Sequence, residues 1–325
     1  MPNSAAASPI LEIRELKLDF LKDGVALRAV DGVSLSIMPG ETVCLVGESG
    51  CGKSATALSI ARLLPSPPAR YSGGQILLNG ADVLQMSKVE LRAVRGAVIS
   101  YVFQEPAASL NPVFRVGFQI REALKLHRPE AANDDEIVRL LKLVGIAAPE
   151  LRMRDYPHQL SGGMQQRVMI AMAIASHPKL LVADEPTTAL DVTIQAQIID
   201  LLRDLKTRLG MSILLITHNL GIVRQIADRV AVMYAGQIAE LAPTAELLAE
   251  PLHPYTRALI ASVPKLSGDA EKLRVIPGNV PMLGAFPKGC RFYPRCPTAI
   301  PECAETMPDL VEARPGRWVR CAYAT

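Results

Sequence analysis

Aromatic residues are scarce in this chain: they make up 4% of its 325 residues, with a single tryptophan. Formal charge is also nearly balanced, at +3, because 35 lysines and arginines are offset by 32 aspartates and glutamates. Proteins that bind nucleic acid usually carry a basic stripe with interleaved aromatic side chains. The sequence has no such stripe, which argues against nucleic acid as a partner.

Long apolar runs are missing too. The longest, Val168 to Ala175, is far shorter than the roughly 20 residues that a helix needs to cross a bilayer. The start of the chain, MPNSAAASPI, has neither a positively charged region nor an apolar core, so no secretory signal is predicted. We therefore expect a cytoplasmic protein. Its 49% hydrophobic content suits one large core with an appendage.

A glycine-rich stretch, GESGCGKS, follows the apolar segment Thr42 to Val46. It fits the pattern G-x-x-x-x-G-K-[ST] at every fixed position, between a predicted strand and a predicted helix from Lys53. In such a loop the backbone N–H groups and the lysine bind phosphates, and the serine hydroxyl binds Mg²⁺. The alternative is a glycine-rich turn that contains a lysine by chance. We predict a phosphate-binding loop of Gly47, Glu48, Ser49, Gly50, Cys51, Gly52, Lys53 and Ser54.

An acidic pair ends the apolar segment Leu180 to Glu185. The segment is typical of a buried parallel strand, and α/β proteins bind ligands at the carboxyl ends of such strands. Adjacent side chains of a strand point to opposite faces, so both acids can act together only if the strand ends there, which Pro186 favours. Asp184 is then a candidate for holding Mg²⁺ and Glu185 for polarising an attacking water. A solvated acidic turn is the alternative.

A second candidate anion site is LSGGMQQR, residues 160–167. Its Ser-Gly-Gly run precedes an apolar helix, and the N–H groups and positive dipole end at a helix start attract anions. Two phosphate-binding elements in one chain indicate a nucleotide held from two sides.

With these motifs the chain resembles the ATP-hydrolysing subunit of an ABC transporter over Ile10 to Pro243. The resemblance implies an α/β fold, namely a P-loop ABC ATPase domain with a mainly parallel sheet, an antiparallel β subdomain and a helical subdomain. It implies that adenine stacks on Phe20, although a short insertion at Lys22 to Ala26 disturbs the alignment there. The catalytic roles that it implies fall on Glu185, His218 and Gln104, and the ATP and Mg²⁺ contacts on the phosphate loop, Gln104 and Asp184.

The resemblance also implies a head-to-tail dimer in which each ATP is shared between two subunits. The residues facing the partner's ATP or the interface are Ser161, Gly162, Gly163, Gln165 and Asp191. Asp191 also suits the N-cap of a helix from Val192 to Arg208, and both roles can coexist. His218 matches the family histidine that contacts the γ-phosphate, although a histidine after a strand is more often an ordinary loop residue. No position required for hydrolysis is altered, so an active ATPase is expected.

Organisation along the chain agrees with this. We predict antiparallel strands within Ile10 to Ile37 and Gln75 to Leu78, and a closing hairpin of Arg229 to Tyr234 with Gly236 to Ala239. Helical spacing from Arg115 to Val144, broken at Pro129 to Asp135, indicates the helical subdomain within residues 105–178, although plain core packing would give the same pattern. The predicted domains are residues 1–243, the ATPase, and 244–325, a loop-rich C-terminal extension containing cysteines.

That extension is rich in proline and holds four of the six cysteines, Cys290, Cys296, Cys303 and Cys321. Disulfides are not expected in a reducing cytoplasm. The spacing, C-x5-C-x6-C-x17-C, lacks the C-x-x-C knuckle of most structural zinc sites, and it leaves a 4Fe-4S cluster, zinc and plain reduced thiols open. Cys44 and Cys51 are most simply small residues that fit their positions.

Two segments of the extension, PLHPYTRALIASVP (251–264) and GCRFYPRC (289–296), resemble the C-terminal extension of oligopeptide and dipeptide importer ATPases. In that family the four-cysteine tail is associated with an iron-sulfur cluster. The resemblance implies peptide import at the cytoplasmic face of the inner membrane, with two transmembrane permease subunits, a second and paralogous ATPase subunit or a copy of itself, and an extracytoplasmic binding protein. The alternatives are an importer of nickel or another small solute and, from another class, a soluble ABC ATPase without transport.

Overall fold

The computed structural model describes residues 8–188, 190–262 and 276–324. Its strands are β1 (Leu11–Lys22), β2 (Val25–Ile37), β3 (Thr42–Val46), β4 (Ala69–Leu78), β5 (Ala81–Asp82), β6 (Ile99–Val102), β7 (Leu180–Asp184), β8 (Ser212–Thr217), β9 (Arg229–Tyr234), β10 (Gln237–Pro243), β11 (Val311–Arg314) and β12 (Arg317–Val319).

The helices are α1 (Lys53–Ser59), α2 (Lys88–Val94), α3 (Pro106–Ser109), α4 (Val116–His127), α5 (Asp134–Leu143), α6 (Pro149–Arg152), α7 (Gly162–Ile174), α8 (Val192–Leu209), α9 (Leu220–Ile226), α10 (Thr244–Ala249), α11 (Pro254–Ala261) and α12 (Glu302–Glu305). Short 3-10 turns occupy Pro129–Ala131, Pro157–Gln159 and Tyr293–Arg295. Among the described residues, no helix has both the length and the apolar content that a membrane span requires.

The chain forms two compact units. The first contains Met38–Glu41 and Gln85–Ile216, with the chain up to Ile10, and the second contains Leu11–Ile37, Thr42–Leu84 and Thr217–Thr325. The predicted boundary at residue 243 separates sequence motifs, whereas these units are groups of residues that are compact in space. That boundary therefore stays a prediction.

Parallel strands and a group of helices build the first unit. β7 lies between β6 and β8, and all three are parallel. Leu180 to Ala183 are fully buried, as expected of a strand covered on both faces. The helical spacing predicted from Arg115 to Val144 is confirmed by α4 and α5. α4 buries Val116, Ile120 and Leu124 on one face. Asn133 caps α5 by accepting the Glu136 N–H at 3.0 Å.

The second unit contains the predicted antiparallel sheet, with strand order β2-β1-β4-β5. Its other strands lie in the order β11-β12-β10-β9-β3, where only the β3–β9 pair is parallel. The expected hairpin is confirmed as β9 and β10. The two strands of the C-terminal extension were not predicted: β12 pairs with the edge of β10, with Leu241 opposite Trp318.

An aromatic cluster packs the C-terminal extension against β9. Tyr255 and Phe292 are 0% and 2% exposed, and their rings lie 4.6 Å and 5.2 Å from the Tyr234 ring, centroid to centroid. The buried Glu240 carboxylate accepts the N–H groups of Leu252 at 2.9 Å and His253 at 2.8 Å. The aromatic side chains of the extension therefore share the core of the unit.

Candidate functional site

The phosphate loop connects β3 to α1, as predicted. Gly47 and Gly52 have φ values of 152° and 106°, which favour glycine. A Cβ atom on Gly47 would lie 2.2 Å from the Met233 carbonyl oxygen, and one on Gly52 would lie 2.9 Å from that of Ala29. Backbone conformation and close packing thus both require glycine at these positions.

Lys53 lies inside the curve of this loop. Its Nζ donates to the carbonyl oxygens of Gly47 at 2.8 Å and Glu48 at 2.9 Å, and the residue is 6% exposed. Ser54 is exposed at the start of α1, whereas Cys51 is buried, and burial raises the pKa of its thiol. A buried ammonium and an exposed hydroxyl beside a glycine-rich turn fit a phosphate chain and its Mg²⁺.

Glu48 of the same loop is held by two residues of the C-terminal extension. Tyr255 Oη accepts its N–H at 2.9 Å, and the Arg295 guanidinium donates to both of its carboxylate oxygens. These partners lie 207 and 247 positions away in the sequence, and sequence analysis missed both. No local pattern could have identified them, because only folding brings them to the loop.

The acidic pair lies in the other compact unit. β7 ends at Asp184, and Glu185 takes a left-handed φ of 47°, so the predicted strand ending is confirmed. Its N–H donates to the Ile216 carbonyl oxygen at 2.9 Å. Thr188 Oγ1 donates to a Glu185 carboxylate oxygen at 2.8 Å, and Gln104 Nε2 lies 3.4 Å from the same oxygen. The structure thus brings together two of the predicted catalytic side chains, Glu185 and Gln104.

Ser161 caps α7, where its hydroxyl accepts the Met164 N–H at 3.4 Å. A Cβ atom on Gly163 would lie 3.0 Å from Ile194 Cγ2 of α8, so a glycine here lets the start of α7 approach that helix closely. Gln165 Nε2 donates to the carbonyl oxygens of Pro157 at 3.0 Å and Leu160 at 3.1 Å. The predicted Gln165 side chain therefore fixes the turn before the helix.

Asp191 is the N-cap of α8, since its carboxylate accepts the Ile194 N–H at 3.0 Å. The N-cap interpretation is confirmed, and the interface role stays a prediction. Phe20 is half-buried in β1, opposite Leu27, and His218 is exposed directly after β8. Their contacts with ATP also stay predictions.

The four cysteines of the extension are free thiols of intermediate burial. Burial raises the pKa of the Cys290 thiol, and the neighbouring thiols of Cys303 and Cys321 raise it further. The pKa of Cys321 is raised by burial and then by Cys296 and Cys303. The thiols thus share one neighbourhood, but within the described ranges no three Cys, His, Asp or Glu side chains are arranged to hold a metal ion. As placed, they do not fit a ready ligand set for a cluster.

Two family models match the chain. One, described as "ABC transporter", matches residues 30–188, and the other, "Oligopeptide/dipeptide transporter, C-terminal region", matches residues 239–303. Both compact units therefore contain matched residues.

Full-length relatives are similar over nearly the whole chain. A probable peptide ABC transporter ATP-binding protein of Sinorhizobium fredii is 49% identical over 99% of this chain and 97% of its own length. An oligopeptide transport ATP-binding protein of Bacillus subtilis is also 49% identical, over 97% of this chain and 96% of its own length. A dipeptide transport ATP-binding protein of the same species is 45% identical over 96% of this chain and 94% of its own length.

Solved structures match about three quarters of the chain. A dimeric ATP-binding cassette in a post-hydrolysis state with ADP and Pi matches with a TM-score of 0.63 and 26% identity, covering 72% of this chain and 98% of the other. A component of an ABC transporter complex of Clostridium perfringens matches with a TM-score of 0.63 and 29% identity, covering 74% of this chain and 91% of the other.

Proposed function

This chain belongs to the ABC transporter family, and from that premise we propose that it is the ATP-hydrolysing subunit of an importer of dipeptides or oligopeptides. One observation carries the choice of cargo: an ATPase match at residues 30–188 and an oligopeptide/dipeptide transporter match at residues 239–303 occur in the same chain. An importer of nickel or another small solute is the alternative within the family.

The residues of the site divide the chemistry between them. Lys53 would bind the β- and γ-phosphates, and Ser54 and Asp184 are the residues that would hold Mg²⁺, which would neutralise phosphate charge. Glu185 is oriented by Thr188, so its carboxylate can take the proton of a water that attacks the γ-phosphorus. A new phosphorus–oxygen bond forms as the bond to the leaving ADP breaks. Gln104 and His218 orient that water, and adenine stacks on Phe20.

Two such subunits form the complete ATPase. Ser161, Gly162 and Gly163 at the start of α7 would face the γ-phosphate bound by the second subunit, which is a paralogue or a copy of this chain. Asp191 links the two sites, and Gln165 supports the turn before the helix. Closure on ATP and opening after hydrolysis would switch the transporter between inward-facing and outward-facing states.

Three exposed aromatic side chains, one of them directly before Gln104 in the sequence, support docking of the two permease subunits. Phe103, Phe114 and Phe118 are 42%, 43% and 41% exposed, and the rings of Phe114 and Phe118 stack at 4.7 Å. Phe103 also lines a cavity of about 460 Å³ in the same compact unit, together with Leu126. A helix with an apolar face can bury these side chains. The subunit would therefore lie peripherally on the cytoplasmic face of the inner membrane, and a binding protein would deliver the peptide from the other side.

We propose a division of the chain into an ATPase domain, residues 1–243, and a peptide-importer extension, residues 244–325. The helical subdomain within residues 105–178 contains α3 to α7. The four cysteines would take up a 4Fe-4S cluster, with zinc as the alternative. The closeness of their thiols supports this, but their present arrangement does not, so the proposal requires the thiols to converge on the metal. No step of ATP hydrolysis depends on it.

Peptide uptake in cells that depend on this transporter tests the proposal, with the native subunit replaced by the variant Glu185→Gln. We expect the purified variant to bind Mg-ATP normally, to lose at least about 100-fold in turnover, and to abolish peptide uptake. Glu130→Gln, which changes an exposed acid of the turn Pro129–Ala131, is the matched control and should keep both activities. Unchanged turnover would remove Glu185 as the base. Normal peptide uptake together with a blocked efflux of another solute would overturn import.

A further inference from the structure

Arg295 of the C-terminal extension and Glu48 of the phosphate loop form a bidentate ion pair. Its two terminal nitrogens lie 2.8 Å and 2.9 Å from the two carboxylate oxygens. The arginine side chain is 4% exposed and the glutamate side chain 28% exposed. Paired charge-assisted bonds of this kind fix direction as well as distance, which a single bond does not.

The guanidinium is itself held in place. Its Nε donates to the Pro277 carbonyl oxygen at 2.7 Å, and one terminal nitrogen also reaches the Tyr234 hydroxyl at 3.3 Å. All three nitrogens thus have partners, and its carbon lies 5.7 Å from the centroid of the Tyr234 ring. An arginine constrained on every side transmits a displacement of its own backbone to the carboxylate that it binds.

The main chain of Glu48 is held separately. Tyr255 of α11 accepts the Glu48 N–H at 2.9 Å, and burial raises the pKa of that tyrosine well above its usual value, so it stays protonated. Two elements of the extension thus fix one loop residue, one through its side chain and one through its backbone. Glu48 occupies a variable position of the loop motif, so this contact is additional to the glycines and lysine that define the motif.

Cysteines flank the turn that carries the arginine. The Tyr293 N–H donates to the Cys290 carbonyl oxygen at 3.0 Å, and the Cys296 N–H donates to the Tyr293 carbonyl oxygen at 3.2 Å. Arg295 therefore lies within a hydrogen-bonded turn that begins and ends at cysteines. A change in either cysteine that shifts the turn also shifts the arginine.

We infer that Arg295 is a positioning residue of the phosphate loop, which it holds through Glu48 in the conformation that receives the triphosphate. The inference rests on the proposed role of this loop as the ATP site. Stability alone does not explain the pair, because a largely buried ion pair contributes little net stability once its desolvation is counted. A fixed geometry at the loop is what the pair supplies.

Binding of a fluorescent ATP analogue to the purified full-length chain, with Mg²⁺ present, tests this inference. Arg295→Met should weaken binding about 10-fold, a coupling within the usual range between linked sites. Arg295→Lys should have an ATP affinity between those of the wild type and Arg295→Met, because an ammonium keeps the charge but cannot bind both carboxylate oxygens as a guanidinium does. Glu48→Gln should weaken binding like Arg295→Met, and the double variant should be no worse than either alone, because both changes break the same contact.

Kinetics and a matched control separate positioning from general damage. The KM for ATP should rise with the dissociation constant, while kcat at saturating ATP should change less than about two-fold. Arg320→Met is the control, since its guanidinium binds the carbonyl oxygens of Ile238 and Pro308 instead of the loop. It should bind ATP normally.

Several outcomes would overturn the inference. Normal ATP affinity in Arg295→Met would do so, and an equal loss in Arg320→Met would show that the extension acts only through overall stability. If Arg295→Met does not fold, Glu48→Gln decides the question, because it leaves the extension intact. Normal ATP affinity in Glu48→Gln would show that the Arg295–Glu48 pair does not position the loop. A wild-type chain that does not bind Mg-ATP would instead overturn the proposed function.

Discussion

Single side chains in this protein work under strong local constraints, and His253 is a clear example. It is 3% exposed, its Nδ1 accepts the Tyr255 N–H at 3.0 Å, and its own N–H binds the buried Glu240 carboxylate. Burial lowers the pKa of His253 from 6.5 to about 4. The imidazole is therefore neutral at neutral pH and serves as the cap of α11.

This depressed pKa predicts a loss of stability in acid. Below about pH 6.5 the unfolded chain binds a proton at His253 that the folded chain does not bind until about pH 4, so stability falls through that window. We expect a loss of about 1 to 3 kcal/mol in the free energy of unfolding, measured by urea denaturation. His253→Asn keeps a capping acceptor and should remove this part of the pH dependence. An identical pH dependence in wild type and variant would contradict the assignment.

At the scale of elements, two helices of the first unit start in the same way but serve different purposes. α7 begins at the cap Ser161, and α5 begins at the cap Asn133. Both accept an N–H three residues on, at 3.4 Å and 3.0 Å. Only the start of α7 is proposed to face the second subunit's ATP.

The two caps therefore form a matched pair for mutation. Ser161→Ala and Asn133→Ala should each lower the free energy of unfolding by about 1 kcal/mol, because each removes one N-cap. In the assembled ATPase pair, only Ser161→Ala should also reduce turnover, by about 10-fold or more, because it removes a contact to the partner's γ-phosphate. Comparing melting temperature and phosphate release in both variants checks this. Equal turnover in the two variants would remove Ser161 from the shared site.

Elements with strong local patterns were predictable from the sequence, and those made by distant pairing were not. β3 has the predicted bounds, Thr42–Val46, because it is a short, largely apolar run that is buried throughout. β11 and β12 escaped prediction, since all four residues of β11 are exposed and β12 has only three. The motifs likewise predicted Lys53 and Glu185, whereas Arg295 acts at the loop only through the folded chain.

Over the whole molecule, the proposed ATPase residues are distributed between both compact units. The phosphate loop and His218 belong to one unit, and Gln104, Asp184 and Glu185 belong to the other. The C-terminal extension is built into the unit that holds the loop. β12 pairs with β10, and the buried Arg317 side chain lies 3.8 Å from the buried Glu240 carboxylate. Strand pairing and this ion pair anchor the extension in its unit.

Metal removal should therefore leave the fold largely intact. Anaerobically purified protein should contain about four irons and four sulfides per chain, and Cys296→Ser should lose them. Its melting temperature should fall by only a few degrees, about what 1 kcal/mol produces in a chain of this size. Cys44→Ala, which changes a buried cysteine of β3, is the control and should keep its metal. Zinc, or no metal, would overturn the cluster, and unfolding of Cys296→Ser would show that metal holds the extension.

The distance along the chain between Arg295 and Glu48 also bears on protein synthesis. The two residues are separated by 247 positions, so the ribosome adds Arg295 long after it has made the phosphate loop. At about 5 to 20 residues per second, that interval lasts roughly 12 to 50 s. The last proposed ATPase residue, His218, precedes Arg295 by 77 positions, so for roughly 4 to 15 s a nascent chain carries every motif of an ATPase without this arginine. On the inference that Arg295 positions the loop, the nucleotide site reaches its final form only after the extension has been made.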